Sequence, residues 1–186
     1  NDACIKNLDH VSTKEDVMYC IYTSGTTGKP KGVMIPNKAV VNYCTPTRYS
    51  IMREAMEDQC RKIVSVTNMV FDIFVTEAIL SLTNGMEVYM LDEEQAKDGS
   101  QATKLMEEHQ IEVLQTTPTR IKIWLSGAKT NNPFKTLKYI LIGGEKVEKA
   151  LVEELRQYTD SKIINVYGPS ETTVWSTREL ISDTNI

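Results

Sequence analysis

The sequence has no uninterrupted apolar run approaching the roughly 20 residues that cross a bilayer. The opening Asn1-Asp2-Ala3-Cys4 has neither the basic start nor the following apolar core of a signal peptide. Membrane is thus not an expected partner. Basic clusters with interleaved aromatics are also missing, and 21 Lys and Arg against 25 Asp and Glu leave a formal net charge of −4. That balance argues against nucleic acid as a ligand. Histidine is scarce: His10 and His109 each stand alone among polar residues, where a surface role fits better than catalysis. The four cysteines, Cys4, Cys20, Cys44 and Cys60, form no Cys-x-x-Cys pair and have no histidine at zinc-ligand spacing. A zinc module and a disulfide scaffold are excluded. Cys20, in an apolar run, and Cys44, on a helix-like stretch, read as small buried hydrophobes in a reducing, hence cytoplasmic, compartment.

What is present is ordinary globular material, with 41% hydrophobic and 25% charged residues in 186, enough for about one domain or a piece of one. Short β-branched runs at 17–22, 31–35, 62–67, 87–91, 112–116, 137–142 and 162–167 read as strands. Helical patterns fall near 37–56, 73–83, 100–109, 118–126 and 147–158, with Ser100 and Thr117-Pro118 as start signals. The alternation predicts an α/β fold with a mainly parallel sheet flanked by helices. In such sheets ligands bind at the carboxyl ends of the strands, so function is expected in the loops there.

The most informative loop follows the first strand: Thr23-Ser24-Gly25-Thr26-Thr27-Gly28-Lys29-Pro30-Lys31-Gly32. Glycines let backbone N–H groups turn toward an anion, and the hydroxyls of Thr23, Ser24, Thr26 and Thr27 with the charge of Lys29 and Lys31 suit a polyphosphate. A solvated surface loop would not need two lysines around a proline after four hydroxyls. A Walker loop is also refused, because two residues rather than four separate Gly25 from Gly28 and Pro30 follows Lys29. Far downstream, Asn165-Val166-Tyr167-Gly168-Pro169-Ser170-Glu171-Thr172-Thr173 offers an aromatic face for a base, a tight turn, a hard carboxylate suited to Mg²⁺ and a hydroxyl donor.

The first stretch, from Tyr22 to Gly32, resembles the signature of the adenylate-forming superfamily: acyl-CoA synthetases, luciferases and the adenylation domains of nonribosomal peptide synthetases. Phe71-Asp72, Gly143-Gly144-Glu145 and the Asn165–Thr173 stretch match further motifs of that superfamily in the expected order, so the resemblance runs from about Asp16 to Thr177. It implies the large N-terminal subdomain of such an enzyme, using ATP and Mg²⁺. By resemblance, Gly25, Gly28 and the loop's Thr23, Ser24, Thr26, Thr27 and Lys29 hold the β and γ phosphates. Tyr167 stacks on adenine, Asn165 meets its amino group, Gly144 and Glu145 line the base, Gly168 shapes the turn, Thr172 binds the α-phosphate and Glu171 holds the metal.

Asp72 has two readings: a helix N-cap, or, as in the amino-acid-activating branch, the partner of a substrate α-ammonium. A buried carboxylate facing an acid without that cation would be costly, which favours an amino acid. The remaining pocket positions fall by resemblance on Ile73, Thr76, Gln115, Leu141, Gly143, Val166, Val174 and Trp175. The bulk of Ile73, Gln115, Leu141 and Trp175 favours a very small amino acid, glycine first and alanine second. Thr76 departs from the glycine-type pattern, where a larger apolar residue is usual. The implied partner is a carrier-protein domain bearing phosphopantetheine. The chain reads as a fragment, residues 1–186, of one adenylation (AMP-binding) domain, with the upstream segment and the C-terminal subdomain absent, and by itself is expected to be weak or inactive. The rival readings are a non-catalytic nucleotide-binding fragment, and a ligase of the acyl-CoA synthetase or D-alanine carrier-protein ligase type.

Overall fold

Apolar residues alternate along the central strands, and that alternation divides the core in two. In the computed structural model, which describes residues 11–24 and 29–182, the main sheet has six strands in the order β4-β3-β5-β6-β7-β8. These are β3 (Lys62–Ser65), β4 (Glu87–Met90), β5 (Val113–Thr116), β6 (Tyr139–Gly143), β7 (Lys162–Tyr167) and β8 (Thr177–Leu180). Strands β4, β3, β5, β6 and β7 are parallel, and β8 returns antiparallel to β7. Val64, Leu114, Ile140, Ile142 and Ile163 face one layer, made by α5 (Gly99–His109), α6 (Pro118–Leu125) and α7 (Lys149–Leu155). Ile63, Val113, Tyr139, Leu141, Ile164 and Val166 face the other. There they meet α1 (Asn37–Cys44), α2 (Arg53–Glu57) and a π-helical segment, Val75–Leu80, that α3 (Ser81–Thr83) continues. Central strand β6 is buried on both faces, as a parallel strand between two helical layers must be.

The expected α/β architecture is present, with local differences. The first two strands, β1 (Val17–Ser24) and β2 (Pro30–Pro36), pair with each other as an antiparallel hairpin outside the main sheet. One face of Cys20 is thereby left to solvent, so it is exposed rather than buried, and Cys44 is half-buried. Cys4 and His10 lie outside the described residues; His109 stacks on Tyr89 with ring centroids 4.4 Å apart. The pattern over 37–56 is two helices, because Thr45 is extended ahead of Pro46, a residue that cannot continue a helix. Helix α5 is capped by Asp98, which accepts from Ser100 N, so Ser100 is inside the helix rather than its cap. A short α4 (Glu93–Lys97), closed by an Asp92/Gln95 capping box, went unread in the sequence. Thr117 caps α6 as expected, with Pro118 at its first position.

Two carboxylates tie distant elements together. Glu54 of α2 pairs with Arg178 of β8, whose guanidinium also donates to Ser50 O at 3.0 Å. Glu112 accepts from Arg61 N at 2.6 Å and from Lys138 Nζ at 2.6 Å at the amino edge of the sheet. Burial acts to raise both groups, but these donors outweigh it and hold each below the ordinary Glu value of 4.5. A lowered folded-state pKa gives stability that is complete above the unfolded value and withdrawn as pH falls through the folded one. Stability is therefore expected to fall off below about pH 4.5, and Glu112→Gln to flatten that loss in urea titrations taken between pH 6 and pH 3. An unchanged acid limb would contradict the assignment.

Candidate active site

The strand order reverses between β3 and β5: β3 leads outward to β4 on one side, and β5 leads to β6 and β7 on the other. Such a switch point opens a crevice at the carboxyl ends of the strands. A buried carboxylate sits there. Glu77, on the π-helical segment and 0% exposed, accepts from Ser65 Oγ at 2.7 Å, Val66 N at 3.0 Å and Thr67 N at 3.0 Å through one oxygen. Its other oxygen accepts from Thr67 Oγ1 at 2.6 Å and faces Gln115 Nε2 at 3.4 Å. Burial pushes the carboxyl up against the pull of these donors, Thr67 and Ser65 foremost. Glu77 thus pins the loop after β3 to the end of β5.

Gln115 carries the connection onward. It is fully buried, donates to Ile73 O at 3.0 Å, and accepts from Trp175 Nε1 at 2.7 Å. The Trp175 ring then lies over the glycines ending β6. A Cβ at Gly143 would collide with Val166 O, stand 2.6 Å from Val166 Cγ2 and 2.9 Å from Trp175 Cη2. Gly144, at φ +81°, would place a Cβ 3.6 Å from Ile73 Cδ1 and 3.6 Å from Thr117 Cγ2. Ile73, Gln115, Gly143, Val166 and Trp175 are therefore one contiguous group, with Leu141 and Val174 in the same core layer.

Asp72 does not cap the helix: it is half-buried, and its carboxylate has no hydrogen-bond or ion-pair partner among the described residues. It borders a cavity of about 320 Å³ shared with Tyr19, whose phenol is pushed up to about 12 by burial and then by the Asp72 charge. Tyr19 Oη is buried without a hydrogen-bond partner among the described residues. Thr76 is 0% exposed and bonds Tyr43 Oη at 2.6 Å.

The downstream signature is the loop of the β7–β8 hairpin. Tyr167 ends β7 with its side chain 68% exposed, and its carbonyl accepts from Ser176 N at 2.9 Å. Between them runs a 3-10 turn, Ser170–Thr172, which packs against β2. This brings the downstream signature beside the strand that leaves the phosphate loop. Glu171 in that turn is exposed; Thr172 Oγ1 bonds Pro169 O at 2.9 Å and also Ser176 Oγ. A Cβ at Gly168 would collide with Val174 O and stand 2.7 Å from Ser176 N. Thr173 and Val174 both hold φ +67°, a left-handed conformation that β-branched residues rarely adopt. Asn165 is half-buried on β7. The Glu145 carboxylate accepts from Thr119 N at 3.1 Å and Thr119 Oγ1 at 2.6 Å, at the start of α6. Of the first signature, Thr23 is half-buried at the end of β1 and Lys29 is exposed; Gly25, Thr26, Thr27, Gly28 and the Ser24 side chain lie outside the described residues.

Glu77 and Tyr43 were missed in the sequence. The one available signal for Glu77 was a lone acid inside an otherwise apolar helical run, Val75-Thr76-Glu77-Ala78-Ile79-Leu80.

Among the described residues no helix is long and apolar enough to cross a membrane. The sequence model of the AMP-binding enzyme family matches residues 4–185. Bacitracin synthase 3 of Bacillus licheniformis is 34% identical over 178 residues, 94% of this chain and 3% of that protein. The dimodular nonribosomal peptide synthase of Bacillus subtilis (strain 168) is 32% identical over 179 residues, 95% of this chain and 7% of that protein. Thus the chain spans a small part of the length of these relatives. A crystal structure of a four-domain holo nonribosomal peptide synthetase bound to AMP and glycine is 31% identical. It matches 92% of this chain and 12% of its own with a TM-score of 0.75. A Vibrio cholerae adenylation domain in complex with glycyl-adenosine-5'-phosphate shares the fold, with a TM-score of 0.77 over 95% of this chain and 32% of its own at 23% identity. The chain belongs to the AMP-binding enzyme family and is similar along its length to nonribosomal peptide synthetases.

Proposed function

We propose that this chain forms the nucleotide- and amino-acid-facing core of an adenylation unit. That unit joins an amino acid to ATP, giving aminoacyl-adenylate and pyrophosphate, and passes the aminoacyl group to a phosphopantetheine-bearing carrier domain. The observation that carries the reading is the Gln115–Trp175 hydrogen bond, which holds an indole over Gly143 and Gly144 near Ile73, the neighbour of Asp72, whose carboxylate has no partner among the described residues. The anionic Asp72 suits an α-ammonium, and the bulk of Ile73, Gln115, Leu141 and Trp175 suits glycine first and alanine second. The similar synthetase bound to AMP and glycine is in keeping with this choice.

The exposed Tyr167 ring and the side-chain-free, left-handed Gly144 leave room for a flat base at the ends of β6 and β7. A substrate carboxylate oxygen attacks the α-phosphorus while the bond to pyrophosphate breaks. The chain's own task is positioning and charge stabilisation rather than covalent chemistry. In this reading Thr172 is assigned to the α-phosphate, and Thr23, Ser24, Thr26, Thr27 and Lys29 to the departing phosphates. Glu171 is an exposed hard carboxylate, and among the described residues no three His, Cys, Asp or Glu side chains gather around a metal. That donor set fits Mg²⁺, which takes one or two carboxylates and completes its shell with phosphate oxygens and water. When bound there, Mg²⁺ neutralises charge developing on the phosphates.

The test is amino-acid-dependent ATP–pyrophosphate exchange by a complete adenylation unit containing this chain. A peak at glycine or alanine is expected, and Asp72→Ala should lower it by about 10- to 100-fold, the value of one charge-assisted bond. Exchange driven by carboxylic acids that lack an amine, and indifferent to Asp72→Ala, would refute the proposal.

A further inference from the structure

Thr76 is fully buried, and its hydroxyl is committed to Tyr43 Oη at 2.6 Å. Tyr43 comes from α1, thirty-three residues earlier in the chain, so the bond joins two helices across the layer that covers the pocket. The phenol is buried deeply enough for its ionisation to be suppressed, first by desolvation, and it also feels the carboxylate of Asp72. Its ring borders a second cavity, of about 250 Å³, whose walls include Ser50, Ile51, Trp175 and Ser176. Tyr43 therefore bonds Thr76, one of the positions assigned above to the amino-acid pocket, and also borders this second cavity.

Resting on the proposed amino-acid adenylation, we propose that Tyr43, held by Thr76, is a specificity-determining residue whose ring separates the amino-acid pocket from the neighbouring cavity. Gln115 fixes the Trp175 wall and Thr76 fixes the Tyr43 wall, so each aromatic is locked by one hydrogen bond from a buried polar side chain. The buried polar Thr76 is explained by that second lock. Removing the ring joins pocket and cavity and admits branched aliphatic side chains.

The test measures exchange by a complete adenylation unit carrying this chain, as wild type, Tyr43→Ala, Tyr43→Leu and Tyr43→Phe, with glycine, alanine, valine and leucine. The leucine-to-glycine ratio of kcat/KM is expected to rise at least about tenfold in Tyr43→Ala, since a single methylene in an apolar pocket is worth that much. The KM for ATP should stay constant, and Tyr43→Phe, which keeps the ring but loses the bond to Thr76, should raise the ratio less than Tyr43→Ala does. Should Tyr43→Ala not fold, Tyr43→Leu makes the same comparison. An unchanged ratio in a folded ring-less variant overturns the inference alone, as does a Tyr43→Phe variant as relaxed as Tyr43→Ala. A wild type without amino-acid-dependent exchange overturns the proposed function and this inference with it.

Discussion

Gly168→Ala is expected to destabilise the protein by at least about 3 kcal/mol, at the upper end of what overpacking costs. The reason is backbone against backbone. A Cβ at Gly168 runs into Val174 O and the backbone of Ser176, and neither can swing aside as a flexible side chain could. The returning arm is already constrained, because Thr173 and Val174 hold φ +67° and Ser176 N is bonded to Tyr167 O. At roughly 2–4 °C per kcal/mol for a chain of this size, thermal unfolding should shift down by about 10 °C. Gly144→Ala is the internal comparison. It meets nothing closer than 3.6 Å and carries only the left-handed penalty of about 1–2 kcal/mol. Equal shifts for the two variants would contradict the close-approach argument. Since the displaced loop carries Glu171 and Thr172 against β2, Gly168→Ala in the complete unit proposed above should also lower ATP–pyrophosphate exchange at temperatures where it stays folded.

The second large effect is expected at Glu77. Truncation to alanine leaves the amides of Val66 and Thr67 and the hydroxyls of Ser65 and Thr67 without their acceptor in a buried site. Hydrogen bonds to a charged group contribute about 1.5–3 kcal/mol each, and they are not additive, so a total near 3–5 kcal/mol is expected for Glu77→Ala. Glu77→Gln is the more informative variant. It preserves shape but presents an amide where one oxygen now accepts three donors, so it should recover only part of the loss. Chemical denaturation reads both variants. The loosened Gln115 should also free the Trp175 indole, visible as a red shift of its fluorescence. A Glu77→Ala protein with wild-type stability would remove Glu77 from its place as the pin of the switch point.

Much of this was legible in the sequence because the signals were local. The runs Ile63-Val64, Val113-Leu114, Tyr139–Ile142 and Ile163-Ile164 read as strands and form the sheet. Thr117-Pro118 announced a capped helix. The family was readable because short backbone-shaped motifs need particular residue types. What escaped was decided by tertiary contact. Cys20 looks buried by its neighbours, but the hairpin that holds it leaves one face uncovered. Asp98 outcompetes Ser100 for the α5 cap by a single position. Thr76 looked like an anomaly until Tyr43, from another helix, supplied its partner. The burial of Glu77 depends on strand β3 and its loop, and no helical periodicity reveals that.

The pocket's hydrogen bonds also set an order in time. Tyr43–Thr76, Ile73–Gln115 and Gln115–Trp175 close spans of 33, 42 and 60 residues. On a ribosome adding about 5–20 residues per second, Gln115 therefore waits several seconds for the indole that will accept its company. Until then the amide can make its bonds to Ile73 O and Glu77 but not the third. Trp175 is the last of these partners to be synthesised, so a nascent chain can complete its sheet through β7 before the indole over Gly143 is in place.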